Sequence, residues 1–180
     1  MSRPDQNAFF DAGSVVWEIE STEKYDAIRE IVVRAPIFKT VPHLNLNDFT
    51  QKVIDRECIQ TTGFGHGVAV AHGRTPEVEN STIALGISRR GINYDAFDGK
   101  PVHLLFIVAN HPDKQMDYLQ ILSKLVTLVR NRTFRHELLA CMSCEEVQGK
   151  LCAAFHELWH KSRTHQGGME QGGMEQAKAM

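Results

Sequence analysis

Apolar positions along this chain follow two rhythms, and the alternation between them divides it into helices and strands. Ala27, Ile28, Ile31 and Val32 share one face at helical spacing, which predicts a first helix with Ser21 or Thr22 as its cap. Phe49, Val53 and Ile54 do the same for a second helix, capped by Asn47 and carrying Arg56 near its end. Short apolar runs predict strands at 14–19 (SVVWEI), 68–71 (VAVA), 82–87 (TIALGI) and 102–109 (VHLLFIVA). The last is apolar almost without a break, the mark of a strand covered on both faces. His111-Pro112-Asp113 opens a strongly amphipathic helix with Pro112 in its first turn. Met116, Leu119, Leu122, Leu125, Val126 and Val129 form its inward stripe. A shorter helix follows over 133–141. Ser143-Cys-Glu-Glu146 has the form of a capping box, ahead of a last helix turning Val147, Leu151, Phe155 and Leu158 inward. Strands and helices intermixed in this way predict an α/β fold: a single domain with a mixed β-sheet sandwiched between helices.

Length adds a boundary to this picture. At 180 residues the chain can bury one sizeable core, and two would be cramped. Residues 1–13 read as a loose arm, 14–163 as the folded domain, and 164–180 as a Gly/Met/Gln-rich tail. That tail nearly duplicates QGGMEQ and is expected to be disordered, with no catalytic role. Apolar content of 42% and charged content of 23% are ordinary for a soluble domain. A net charge of −2 gives no electrostatic case for nucleic acid or an anionic membrane. No apolar run reaches the roughly 20 residues of a spanning helix, and MSRPDQNAFFDAG does not read as a secretory signal. Four cysteines are too few for a disulfide framework at this length. The expected address is the cytoplasm.

The chemistry concentrates in RECIQTTGFGHGVAVAHGRTP, Arg56 to Pro76. Gly63, Gly65 and Gly67 alternate through what reads as a loop, whose amides can form an anion-binding concavity. The strand 68–71 then delivers His72 at its tip, followed by Gly73. A neutral imidazole beside an anion cradle suits phosphoryl transfer, which needs a nucleophile, in-line positioning and donors around the transferred oxygens. The Thr62 hydroxyl and a guanidinium from Arg56 or Arg74 are candidate donors.

This run resembles the active-site signature of the enzyme IIA domains of the phosphoenolpyruvate-dependent sugar phosphotransferase system, fructose/mannitol and nitrogen-regulatory class. There, R-E and then T-G-x-G-x-G-[aliphatic]-A-[aliphatic]-P-H-G surround a histidine that becomes phosphorylated. Arg56-Glu57, Thr62-Gly63, Gly65, Gly67-Val68-Ala69-Val70 and His72-Gly73 match that pattern, and the resemblance extends more weakly over about 45–160. It implies a sandwiched mixed sheet and a phosphocarrier role in sugar transport or nitrogen regulation. His72 would be the phosphohistidine nucleophile assisted by Arg56 and Thr62. Gly63, Gly65, His66, Gly67, Gly73 and Tyr118 would surround the phosphoryl group, with neither cofactor nor metal. The implied donor is the phosphohistidine carrier protein HPr; the acceptor is a cysteine-bearing enzyme IIB or a regulated target protein. Two positions depart from the pattern. Ala71 stands where the family has a proline that would fix φ at about −65°. Tyr118 stands at the family's second histidine, a hydroxyl in place of a group able to carry charge. His66 and His111 are further histidines in loops that could border the site.

Three other readings compete. A regulatory protein on the same fold could bind its partner with little or no phosphotransfer. His156-Glu-Leu-Trp-His160 matches the H-E-x-x-H form of zinc proteases, with Glu157 as general base. Helical geometry turns both histidines about 140–180° from the inward face, however. Cys141-x-x-Cys144 could join a zinc site with Cys152 or His156, but no second pair accompanies it. Asp95, Asp98 and Asp113 have turn-like contexts without metal-ligand spacing.

Overall fold

The structure is a computed structural model that describes residue 10 and residues 13–166, side chains of 160–166 excepted. In chain order the elements are β1 (Val15–Val16), α1 (Lys24–Arg34), α2 (Pro36–Lys39), α3 (Leu46–Ile59), β2 (Gly63–Gly65), β3 (Val68–Arg74), β4 (Thr82–Ile92), β5 (Val102–Asn110), α4 (Gln115–Arg130), α5 (Arg132–Ala140) and α6 (Cys144–Gln166). The five strands form one mixed sheet in the order β1-β4-β5-β3-β2. β3 runs parallel to β5, and β4 runs antiparallel to it. The predicted α/β sandwich is the architecture found.

Strand alternation sorts the core into two unequal layers. Ala69, Ala71, Ala84, Leu105, Ile107 and Ala109 face α1, α2 and α3. Val68, Val70, Ile83, Leu85, Phe106 and Val108 face α4, α5 and α6. Small residues predominate on the first face, so the helices there approach closely. At Gly73, an added Cβ would lie 2.8 Å from Val53 Cγ2 and 2.9 Å from Phe49 Cε2, both on α3.

Several boundaries differ from those expected, each for a local reason. α3 is capped by Asn45, not Asn47: the Asn45 side chain accepts from the amides of Asn47 and Asp48. Neither Ser21 nor Thr22 caps α1, whose N-cap is Glu23. Their backbone is engaged elsewhere, since the Ser21 amide donates to Glu30 and the Thr22 carbonyl accepts from Asn93. β1 is only two residues long, ending before Glu18, which takes a positive φ of 52°. The short helix α2, entered through Pro36, had no periodic signal. β4 continues past Ile87 by bulging outward. Between the pairs Ile87↔Leu104 and Ile92↔Val102 it advances five residues while β5 advances two, leaving Arg89 and Arg90 exposed.

α4 starts at Gln115, after a turn closed by Lys114 N–H to His111 O, so Pro112 precedes the helix. Its buried stripe is Tyr118, Ile121, Leu125, Leu128 and Val129, with Met116 and Leu119 outside. The inward face is thus rotated from the expected one, because a tyrosine belongs to it. Ser143 accepts from the Glu146 amide as a capping box requires, but the Glu146 carboxylate returns to Met142 N–H, one residue earlier.

The arm and tail readings fall largely outside the described residues. Of the arm, Phe10 is buried against Phe155, and Cys152 Sγ donates to its carbonyl. α6 runs to Gln166, beyond the expected domain end at 163, while residues 167–180 lie outside the described residues.

Two glycines should therefore respond oppositely to alanine. Beyond its own helix backbone, a methyl group added at Gly149, on α6, would meet no atom within 4 Å among the described residues, so Gly149→Ala should stabilise by about 0.5–1 kcal/mol. Gly73→Ala forces α3 off the sheet and should destabilise by about 1–3 kcal/mol. Urea denaturation of the two variants checks both signs.

Candidate functional site

His72 does not end its strand. β3 continues to Arg74 because β5, its parallel neighbour, continues alongside to Asn110, with His72 opposite Val108. Alternation buries Ala71 and Gly73 towards α3 and turns His72 to the opposite face, beneath α4. The edge strand β2 flanks β3 only as far as Ala69, with Thr62 O accepting from Val70 N–H beyond it. His72 consequently lies past the end of β2, half-buried at the sheet margin. Ala71 sits fully buried opposite Ile107. The ladder thus holds the approach to the histidine where the resemblance would place a proline.

Tyr118 comes down from α4 onto this imidazole. Its hydroxyl oxygen is 3.0 Å from His72 Nδ1, and the rings lie 4.8 Å apart with a 36° tilt. Arg56, from the last turn of α3, and Arg74, two residues along β3, both place positive charge within reach of the pair. Burial first, then Arg56 and Arg74, lower the His72 pKa to about 4. Burial raises the Tyr118 pKa, against the two arginines. At neutral pH the site is therefore a neutral imidazole hydrogen-bonded to a neutral phenol, with two guanidinium charges nearby. Both guanidinium groups thus act on the ring electrostatically.

The glycine cradle is not where the spacing put it. Gly63 and Gly65 form β2, paired with Ala69 and Val68. The turn at His66 and Gly67 closes the hairpin at the start of β3, four residues before His72, which is about 13 Å along a strand. Positive φ at Gly65 (97°), His66 (58°) and Gly67 (77°) serves this turn, and Asp98 Oδ2 accepts the His66 amide. Gly65, His66 and Gly67 therefore cannot surround a group on His72. Gly73 adjoins it, but its missing side chain admits α3 rather than an anion. His111 follows Asn110 at the same end as His72, with its Nδ1 accepting from Asp113 N–H.

Thr62 is engaged on the other face. Its hydroxyl donates to Glu57 Oε2 at 2.6 Å, its amide donates to Glu57 Oε1 at 2.9 Å, and its oxygen lies 3.3 Å from Tyr94 OH. The hydroxyl proton is already used, so Thr62 is not a donor to the histidine. Glu57, matched in the sequence only as the second letter of the R-E pair beside Arg56, is buried and takes both of these bonds.

The rival sites stay apart from this one. Val147, Leu151 and Phe155 of α6 are buried, while His156 and Glu157 are exposed; the His160 side chain lies outside the described residues. Cys141 is buried, Cys144 Sγ faces Val15 O and Cys152 Sγ faces Phe10 O. Among the described residues, no three His, Cys, Asp or Glu side chains gather in a group able to hold a metal ion. Asp98 shapes a turn by accepting from His66 and Lys100 amides. Among the same residues, no helix is long and apolar enough to cross a membrane.

Comparison with known proteins shows the family and the fold. Residues 8–151 match the family described as "Phosphoenolpyruvate-dependent sugar phosphotransferase system, EIIA 2". A fructose-specific EIIABC component of Bacillus subtilis is 35% identical over 130 residues, covering 72% of this chain and 20% of the relative. A fructose-specific EIIA component of Haloferax volcanii is 37% identical over 99 residues, covering 55% of this chain and 64% of its own. The chain thus spans less than two thirds of either relative. The crystal structure of nitrogen regulatory protein IIA-Ntr from Neisseria meningitidis superposes with a TM-score of 0.73 at 30% identity, over 81% of this chain and 97% of that one. IIA mannitol from Escherichia coli, at 19% identity, over 78% of this chain and 97% of its own, shares the fold with a TM-score of 0.64. By the match over residues 8–151 and the strand-borne His72, this chain belongs to the EIIA 2 family of the phosphoenolpyruvate-dependent sugar phosphotransferase system.

Proposed function

We propose that the chain is a phosphocarrier that accepts a phosphoryl group on His72 from phospho-HPr and passes it to an enzyme IIB or a regulated target protein. The observation that carries this reading is the His72–Tyr118 contact at an open sheet margin flanked by two arginines. With Nδ1–H donating to the Tyr118 oxygen, the Nε2 lone pair is free. It attacks phosphorus in line, the phosphorus–nitrogen bond to the donor's imidazole breaks, and that nitrogen keeps the electron pair. Arg56 and Arg74 offset the charge of the transferred oxygens. A thiolate acceptor then takes the phosphoryl group in the same manner. A IIB-type acceptor draws support from the structural likeness to IIA mannitol, solved in complex with phosphorylated IIB mannitol. Relatives with fructose-specific and with nitrogen-regulatory names occur side by side, and in either role His72 would be the acceptor. The cytoplasm, where HPr would be met, is the proposed location.

Incubation with phosphoenolpyruvate, enzyme I and HPr should place an acid-labile, alkali-stable phosphate on His72, located by mass spectrometry. His72→Ala should abolish the label, and undiminished labelling of that variant would sink the assignment. Arg56→Ala should slow labelling about tenfold to hundredfold, the value of a charge-assisted hydrogen bond. Tyr118→Phe, which loses a neutral one, should slow it about twofold to tenfold.

The pH dependence has a definite sign. Unfolded imidazole binds its proton near pH 6.5, whereas folded His72 does so only at about 4. The unfolded state therefore binds more protons in that window, and this histidine's share of stability falls as pH drops from 6.5 towards 4. NMR titration of the His72 ring should give a midpoint near 4, leaving the nucleophile neutral at every physiological pH. A midpoint at 6.5 would show a solvated ring without the two arginines against it.

Metal analysis addresses the HELWH segment. The purified protein should hold no stoichiometric zinc, and chelation should leave labelling intact. One tightly held zinc per chain, with activity lost on chelation, would restore the protease reading.

A further inference from the structure

We propose that Glu57 is the positioning residue that aims Arg56 at His72; this rests on the reading of His72 as the phosphoryl acceptor. In the last turn of α3, 56–59, Glu57 is the one buried side chain; Cys58 and Ile59 are exposed and Arg56 is half-buried. Earlier turns are held by Phe49, Val53 and Ile54 in the core, so the end that carries Arg56 depends on Glu57. Both carboxylate oxygens are committed. Oε1 accepts from the Thr62 amide at 2.9 Å and faces Lys24 Nζ at 3.5 Å; Oε2 accepts from the Thr62 hydroxyl at 2.6 Å.

These bonds tie the end of α3 to the start of β2, and through Thr62 O and Val70 N–H to the strand that bears His72. Arg56 shares the closed segment, donating from Nη1 to Gln60 O at 3.2 Å. Successive helical residues diverge by about 100°. A side chain locked inward at Glu57 therefore sets the direction in which the half-buried Arg56 leaves the helix. The charges that reach His72 are Arg56 from α3 and Arg74 from its own strand, with Tyr118 packed against it from α4.

The test exploits an opposition of sign. Deleting a carboxylate acts directly on His72 by lowering its pKa, since a negative charge favours the protonated ring. Releasing Arg56 raises it. The NMR midpoint of His72 is measured in the full chain for wild type, Glu57→Gln, Arg56→Gln and the double variant. Glu57→Gln should raise the midpoint above about 4, in the direction of Arg56→Gln and no further. The double variant should match Arg56→Gln alone, because both substitutions remove one interaction. Thr62→Val keeps the amide bond and loses the hydroxyl bond, and should give a smaller rise. It also serves if Glu57→Gln does not fold. A midpoint unchanged or lowered in Glu57→Gln and Thr62→Val, or additive shifts in the double variant, overturns the proposal. Labelling from phospho-HPr is the second readout: Glu57→Gln should slow it no more than Arg56→Gln does, and add nothing to that variant. Wild-type protein that takes no label on His72 would remove the phosphocarrier reading, while the midpoints would still decide whether Glu57 aims Arg56.

Discussion

The parallel ladder between β3 and β5 is the constraint on which the rest of this fold hangs. β5 lies between β4 and β3 and is covered by helices on both faces, so its register fixes every layer around it. Seven consecutive pairs, from Val68↔Leu104 to Arg74↔Asn110, transmit that register to the strand carrying His72. Parity then decides the rest. Gly73 and Ala71 meet α3 closely, and His72 meets Tyr118 on α4. A slip of one residue would exchange the two faces, driving the imidazole into Phe49 and Val53 and leaving a glycine under the tyrosine.

The site is consequently assembled from three layers rather than from one loop. α3 supplies a cation, the sheet supplies the histidine, and α4 supplies the phenol. Each element reaches its place by burying an apolar face, and among the described residues only Glu57 adds a buried charge to that packing. Placing a carboxylate there requires partners for both oxygens, which Thr62 and Lys24 provide. The polar cluster therefore sits on the face opposite the histidine, connecting α1, α3 and β2 without entering the reaction.

Much of this could be read from residues in order, and the rest could not, for specific reasons. The strands at 68–71 and 102–109 announced themselves because residues buried on both faces need no polar alternation. His72 stood out because it follows directly on such a run. Tyr118 was reachable only by aligning it with a family pattern, since nothing local distinguishes it from a surface tyrosine; its absence from the expected stripe also rotated the predicted face of α4. The glycines misled because the absence of Cβ serves a hairpin turn, a close helix approach and an anion nest equally well. Only the register of β2 on β3 separates these, and register is a tertiary fact. Thr62 misled similarly: its hydroxyl is a plausible phosphate donor until Glu57, five residues earlier, is seen to hold it. The bulge at Arg89 and Arg90 belongs to the same class, two polar residues that looked like the end of a strand and are an excursion within it.

The tyrosine beside the histidine also sets what this protein can report. His72 protonates only at about 4, and burial pushes the Tyr118 phenol above its usual range. Across the whole interval between, neither ring changes its charge. On the phosphocarrier reading proposed above, a drop in pH within that interval would leave the acceptor imidazole as ready as before. The phosphorylated fraction of such a carrier would then carry one message, the balance between phosphoryl groups delivered and phosphoryl groups removed.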